Sequence, residues 1–164
     1  TNTNPVQPSV PLTGTIPFVP TKFALVIGQS ESRISGGAIP HAADDAAIIR
    51  EALNAHAGYA PENTEVVLNA TATQLRATAK ALAARMPEDA TLFIYFVGQG
   101  VNIDGKDYLA GVDTELATDT ASMLPKDELY SYFRAKGAHT YAFFEVPRPE
   151  INNRYFGAEL PQVG

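Results

Sequence analysis

The side chains that could carry out covalent chemistry are few in this chain. The sequence contains no cysteine, which excludes disulfide bonds, thiolate zinc sites and a cysteine nucleophile. Ser30 and Ser32 follow a predicted strand and could act as nucleophiles with His41 as their base. No histidine follows a neighbouring strand, however, and loop serines without a positioned base are ordinarily unreactive. A hydrolase with a substitute serine nucleophile is therefore an alternative hypothesis.

The residue spacing supports neither a metal site nor a nucleotide site. His41, His56 and His139 are predicted to lie in a loop, in a helix and at the start of a strand, so they are not expected to converge on one metal ion. The glycines after the first predicted strand lack the spacing of a dinucleotide-binding loop, and no GxxxxGK motif follows any strand. We expect no metal and no cofactor.

The charge and hydrophobicity of the chain indicate which classes of protein it could belong to. The 164 residues include 12 Lys or Arg and 18 Asp or Glu, a formal net charge of -6, and 45% are hydrophobic. This composition is sufficient for one folded domain. The acidic balance argues against binding to nucleic acid. The longest apolar run, Leu92 to Val97, is far shorter than the about 20 residues of a membrane-spanning helix, so we expect no membrane span.

Four apolar runs predict buried strands. They are residues 22–28, 64–69, 91–97 and 139–146. Strands that are apolar throughout and separated by helices are typical of a parallel sheet covered on both faces. We therefore predict a three-layer α/β domain with a mostly parallel sheet of about four core strands.

Helical spacing occupies the gaps between these strands. The first helix begins at Ala42 and ends before Gly58. Thr71 and Gln74 form a capping box that begins the second helix, and Pro125 opens the third. The alternation of strands and helices agrees with the α/β prediction.

The remaining segments are predicted as loops and linkers. Residues 1–21 contain five of the twelve prolines and no charged side chain, which predicts an extended linker. Residues 22–148 form the predicted domain, and within it the acidic stretch 101–124 is predicted as an irregular loop. Residues 149–164 form a tail without clear periodicity.

The residues at the carboxyl ends of the predicted strands are the ones to consider for a binding site. Ligands of parallel α/β sheets bind at this edge of the sheet. The polar groups and breakers found there are Gln29, Ser30, Gly98, Gln99, Gly100, Glu145 and Pro147. None of them forms a strong catalytic pair, so a small-molecule binder without chemistry is a second alternative.

Several of these segments together resemble the caspase-like cysteine peptidases, a superfamily that includes caspases, metacaspases and bacterial orthocaspases. The segments are FALVIGQS, AADDAAIIREAL, FIYFVGQG and AFFEVPR, with YLAGVD between the last two. The resemblance spans residues 22–148 and implies the strand order 2-1-3-4. Members of the superfamily continue with a small subunit that adds two strands, whereas sixteen residues follow Arg148 here. The segment thus resembles a large subunit.

The resemblance also implies that the peptidase dyad is degenerate. FIYFVGQG matches the strand that ends in the family's SGHG, and AFFEVPR matches the strand that ends in DACR. Gln99 therefore stands where the general-base histidine is expected, and Pro147 stands where the nucleophilic cysteine is expected. Because glutamine cannot accept a proton at neutral pH and proline offers no nucleophile, we predict a pseudoenzyme.

Two acidic residues match a binding pocket of the metacaspase branch. In that branch, one carboxylate at the start of the first helix and another two residues before the cysteine form a pocket for Arg or Lys. The matching positions are Asp45 and Glu145, and both still carry carboxylates. The resemblance thus implies a residual pocket for a basic side chain.

The fourth strand is predicted to lie at an edge of the sheet. Its Tyr141 and Phe143 are large apolar groups, and no Lys or internal Pro protects the strand from pairing. Either the tail covers it or a second copy of the chain pairs with it about a two-fold axis. The apolar groups of the tail are Ile151, Tyr155, Phe156 and Leu160. We favour the homodimer.

The leading hypothesis is a non-catalytic caspase-like protein that acts as a protein-binding or scaffold module. The identity of the protein partner and the compartment, bacterial cytoplasm or periplasm, stay open. The alternatives are the serine hydrolase and the small-molecule binder.

Overall fold

A computed structural model describes residues 17–147 of the chain. The first sixteen residues of the predicted linker and the whole tail 149–164 lie outside this range. The described end of the linker contacts the domain. The Val19 amide donates a hydrogen bond to the Gly58 carbonyl at 2.8 Å, and the Thr91 amide donates one to the Thr21 carbonyl at 2.8 Å.

The main sheet has four parallel strands and the predicted order. The strands are β1 (Lys22–Gly28), β2 (Thr64–Leu68), β3 (Thr91–Val97) and β7 (His139–Glu145). They are arranged β2-β1-β3-β7, which is the order 2-1-3-4 of the four predicted strands. The α/β prediction is confirmed, with strand bounds that differ from the prediction by one residue at most.

Three helices cover the two faces of this sheet unequally. They are α1 (Ala42–His56), α2 (Ala72–Arg85) and α3 (Lys126–Arg134). Successive residues of a strand point to opposite faces. One face packs against α2 and α3 around Phe96 and Phe133, and the other packs against α1 around Val26 and Ala46. We call these the two-helix face and the α1 face.

The helices begin in different ways. The capping box predicted for α2 is confirmed, because the Thr71 side chain accepts from the Gln74 amide and the Gln74 side chain accepts from the Thr71 amide. No side chain caps α1 at His41. Asp44 and Asp45 in the first turn of α1 still place negative charge at the positive end of its dipole.

The prediction of an irregular loop over residues 101–124 is wrong for much of that range. A second sheet, order β4-β5-β6, is formed by β4 (Gly100–Ile103), β5 (Lys106–Ala110) and β6 (Met123–Pro125). Asp104 and Gly105 connect β4 and β5 with positive φ angles of 52° and 80°. Such a two-residue turn matches the twist of an antiparallel hairpin. This acidic stretch therefore contains a regular β-hairpin that its composition did not indicate.

The strand register aligns the carboxyl ends of the main sheet in one row. Gly28 pairs with Leu68 on one side and with Val97 on the other, and Val97 pairs with Glu145. The residues that follow these four therefore come together at one edge. Within residues 17–147, none of the helices is long and apolar enough to cross a membrane.

Candidate functional site at the carboxyl ends of the strands

Gln29, the first residue after β1, is buried and forms part of the scaffold. Its Nε2 donates to the Ala70 carbonyl at 2.7 Å, and its Oε1 accepts from the Ala70 amide at 2.8 Å. The backbone amide of Gln29 also donates to the Val97 carbonyl at 2.8 Å. Because all of these groups are satisfied inside the protein, Gln29 fixes the ends of three strands and is not free to meet a ligand.

Ser30 is held by the residue that ends the β2 segment. Asn69 adopts a positive φ of 53°, a conformation that asparagine tolerates better than most residues. Its Oδ1 accepts from the Ser30 amide at 2.9 Å, from the Ser30 hydroxyl at 3.1 Å and from the Glu31 amide at 3.0 Å. This asparagine orders the loop after β1, and it accepts the hydrogen bond that the Ser30 hydroxyl donates.

Ser32 and His41 also have partners other than each other. The Ser32 hydroxyl accepts from the Ile34 amide at 3.1 Å. His41 Nε2 lies 3.5 Å from an Asp45 carboxylate oxygen, four residues along the chain at the start of α1. The described contacts therefore include no hydrogen bond between either serine and this histidine.

Gln99 follows β3 and is 8% exposed. Its Nε2 donates to the Gly37 carbonyl at 2.8 Å, and its backbone carbonyl accepts from the Ala110 amide at 2.9 Å. The side chain thus fastens the loop after β1 to the end of β3. An amide bonded in this way can donate hydrogen bonds but cannot take a proton from a substrate at neutral pH.

Tyr95 is hydrogen-bonded to Glu145 and is also influenced by the negative charge of Asp45. Its hydroxyl donates to Glu145 Oε2 at 2.8 Å. Burial, this hydrogen bond and the negative charges of Glu145 and then Asp45 all raise the pKa of Tyr95 above its ordinary value. Both carboxylates therefore act on one phenol on the α1 face, and that phenol keeps its proton at neutral pH.

Sequence reasoning did not identify Tyr95 as a site residue. The strand TLFIYFV suggested a core position, and Tyr95 is indeed buried, with 6% of the residue exposed. Only the parallel register, which sets Tyr95 beside Phe143 and Val97 beside Glu145, brings the hydroxyl to a carboxylate fifty residues away in sequence. That the Asp45 and Glu145 carboxylates lie close enough to form one pocket stays a prediction.

The predicted interface residues lie on the bare part of the α1 face. Tyr141 is 60% exposed and Phe143 is 46% exposed. Phe143 also stacks on Phe93 with ring centroids 5.3 Å apart, and Phe93 meets Tyr59 edge-on at 6.2 Å. A cluster of aromatic rings therefore extends from the buried Tyr59 to the exposed Phe143 on the outer strand. Pro147, at the end of the described chain, is exposed.

A separate cavity lies far from this edge. It has a volume of about 520 Å³ and lies between α1 and the amino end of β2. Arg50, Glu51, Asn54 and Thr64 contribute its polar lining. Among residues 17–147, no group of three or more His, Asp or Glu side chains is arranged to hold a metal ion.

Comparison with known proteins agrees with this architecture. The chain is similar to protein GSU0716 from Geobacter sulfurreducens, whose crystal structure superimposes with a TM-score of 0.51 at 20% sequence identity. That similarity covers 75% of this chain and 49% of the other, so the chain spans about half the length of that protein. None of the curated proteins compared with the chain matches it.

A family match carries the assignment further. The caspase domain matches residues 21–155, which is most of the chain and includes every strand of the main sheet. The match begins one residue before β1 and agrees with the range over which the sequence motifs resemble the superfamily. The chain therefore belongs to the caspase domain family.

Proposed function

We propose that this caspase domain binds a protein partner and does not cleave it. The proposal is supported by the two residues that the resemblance matches to the catalytic dyad, Gln99 after β3 and Pro147 after β7. Peptide hydrolysis by this family requires a base and a thiolate at these two positions. The Gln99 amide is committed to the Gly37 carbonyl, and the chain has no cysteine to supply a thiolate elsewhere.

The contacts of the candidate serines favour this proposal over a substitute hydrolase. A serine nucleophile needs a base within hydrogen-bond reach of its hydroxyl. The Ser30 hydroxyl is bonded to the Asn69 amide oxygen, which is not basic, and the Ser32 hydroxyl accepts from the Ile34 amide, so neither described contact is with His41. Activity through either serine would require both loops to rearrange.

The acidic pair suggests what the domain recognises. Glu145 is exposed and the Asp45 side chain is 33% exposed, so each can reach a ligand. The Tyr95 hydroxyl uses one Glu145 oxygen, and His41 lies 3.5 Å from one Asp45 oxygen. The other oxygen of each carboxylate can accept from a guanidinium or ammonium group. We propose that they hold an Arg or Lys side chain of the partner protein.

The test of non-catalysis is an assay with peptides that carry Arg, Lys or Asp at the cleaved position. We expect no turnover above background, with or without calcium. Turnover that disappears in Ser30→Ala or Ser32→Ala would replace this proposal with the substitute hydrolase. The double variant Gln99→His with Pro147→Cys should remain almost inactive, because a dyad alone does not provide the substrate alignment that catalysis needs.

The test of the pocket is the affinity for an arginine-containing peptide. Asp45→Asn combined with Glu145→Gln should weaken binding by roughly tenfold, equivalent to about 1.4 kcal/mol. Asp44→Asn is the matched control, because it removes an exposed carboxylate from the same helical turn. If the double variant and the control weakened binding equally, the peptide would be responding only to the overall negative charge of the surface. A small molecule that stabilises the domain, with no response to the peptide, would favour the small-molecule alternative.

A further inference from the structure

The cavity between α1 and the amino end of β2 has the size and the lining of a ligand site. Its volume of about 520 Å³ lies within the range of roughly 300–1,000 Å³ that small-molecule pockets occupy. Ala55, Pro61 and Val66 form its apolar wall. Arg50 and Glu51, which follow each other on α1, add one positive and one negative charge. The cavity therefore offers an apolar surface beside two opposite charges.

These two charges are not neutralised by the described part of the chain. Consecutive residues of a helix do not face each other, so Arg50 and Glu51 are poorly placed to pair with one another. The positions three and four residues away on α1 hold only uncharged side chains, which are Ala46, Ala47, Ile48, Leu53, Asn54 and Ala55. Within residues 17–147 neither side chain forms an ion pair, whereas Arg33, Arg76 and Arg85 each pair with a glutamate.

Asn54 contributes a fixed hydrogen-bond acceptor to the lining. Its Nδ2 donates to the Tyr59 carbonyl at 2.8 Å and to the Thr64 hydroxyl at 3.0 Å. The Tyr59 carbonyl can only accept, and the Thr64 hydroxyl uses its own proton on the Ala60 carbonyl at 2.9 Å. These partners fix the orientation of the Asn54 amide and use both of its hydrogens. The Asn54 Oδ1 atom is therefore the group of this side chain that can accept from a ligand.

We propose that this cavity binds a short peptide with free ends, such as a dipeptide. The peptide carboxylate binds the Arg50 guanidinium, whose fork of N–H donors matches the two oxygens of a carboxylate. The peptide ammonium donates to the Glu51 carboxylate and to Asn54 Oδ1. An apolar side chain of the peptide packs against Pro61 and Val66.

The charges of the lining select this class of ligand. A purely anionic ligand would be repelled by Glu51, and a purely cationic ligand would be repelled by Arg50. A free amino acid carries both charges but holds them close together, whereas consecutive side chains of a helix point apart. A dipeptide separates its two charges by a peptide unit. This site is distinct from the acidic pair Asp45 and Glu145, and it requires no arginine in the ligand.

The probe for this site is the dipeptide alanyl-leucine, titrated into the full chain and followed by NMR. We expect saturable shifts of protein amides centred on Arg50, Asn54 and Thr64. Acetylation of the dipeptide removes its ammonium and amidation removes its carboxylate, so each change should weaken binding about tenfold. The absence of saturable shifts, or shifts centred on other residues, would overturn the proposal.

Two substitutions test which end of the peptide meets which side chain. Arg50→Gln should weaken binding of the free dipeptide about tenfold but have little effect on the amidated form, which has no carboxylate to lose. Glu51→Gln should likewise weaken binding of the free dipeptide and have little effect on the acetylated form. Both side chains are exposed, so neither change should disturb the fold.

The matched controls are Arg134→Gln and Glu88→Gln, which remove the same charges at exposed positions outside the cavity lining. Both controls should bind the free dipeptide as the unmodified chain does. Controls that weaken binding as much as Arg50→Gln and Glu51→Gln would overturn the proposal. The same holds if the two cavity variants discriminate against the capped and free dipeptides equally.

Discussion

The two faces of the main sheet differ in how completely they are covered. On the two-helix face, α2 and α3 bury Phe96 and Phe133 fully. On the α1 face, a single helix leaves Tyr141 and Phe143 exposed. Sequence composition does not explain this difference, because both faces of β7 carry aromatic residues. A parallel sheet is ordinarily covered on both sides, and within residues 17–147 the part of the α1 face around Tyr141 and Phe143 is not.

The largest expected effect separates two adjacent phenylalanines of β7. Phe144 packs on the two-helix face, with Phe96 and Tyr130 at ring-centroid distances of 6.1 and 6.2 Å. Phe144→Ala should lower the free energy of unfolding by about 2 kcal/mol, less than for a fully buried phenylalanine, while Phe143→Ala should change it by under about 0.5 kcal/mol. Urea unfolding at low protein concentration measures both values in the absence of pairing. Equal losses would mean that the two faces are equally packed.

A smaller effect is expected from the different starts of the helices. Thr71→Ala removes the capping box of α2 and should cost about 1 kcal/mol. His41→Ala should cost much less, because the His41 side chain caps nothing and its contact with Asp45 is exposed. Thermal unfolding of the two variants compares them directly. A larger loss for His41→Ala would show that α1 depends on the residue that precedes it in a way that the hydrogen bonds do not reveal.

The smallest expected effect is a pH dependence at the contact between α2 and α3. Burial alone would raise the pKa of Glu128, but hydrogen bonds from Arg76 and Tyr132 and the charges of Arg76 and Lys80 lower it below the usual value. Because the pKa is lower in the folded protein, this stabilisation is present above the pKa of the unfolded chain. It is lost as the pH falls through the pKa of the folded state.

Glu128→Gln should therefore flatten the loss of stability at acidic pH. The expected contribution is under about 1 kcal/mol, because the Arg76 and Glu128 side chains are partly exposed at 28% and 32%. Urea unfolding between neutral and strongly acidic pH measures it, and the exposed residue Glu88 provides the control variant Glu88→Gln. If both variants keep the slope of the unmodified protein, the network contributes nothing to stability.

The sequence predicts the main sheet well because its signals are local. Apolar runs define the four strands, and Thr71 with Gln74 defines the start of α2. The second sheet was missed because its strands are short and partly polar. Asp104 followed by Gly105 was the available signal, since this dipeptide favours the two-residue turn of a hairpin.

The candidate site is harder to predict because its contacts join distant parts of the chain. Gln29 and Gln99 were found at strand ends, but their bonds to Ala70 and Gly37 depend on how the loops return. Tyr95 reaches Glu145 only through the register between β3 and β7. Amino-acid type and position along a strand do not determine such a register by themselves.

One titration tests most directly whether this domain binds without cleaving. Isotope-labelled protein is titrated with an arginine-containing peptide, and NMR follows the protein amides and the peptide in the same sample. We predict saturable shifts centred on Asp45, Tyr95 and Glu145, because the Tyr95 hydroxyl donates to Glu145 and the charges of both carboxylates act on it. The peptide should remain intact throughout. Signals of peptide fragments that accumulate with time, or shifts confined to other surfaces, would contradict the account.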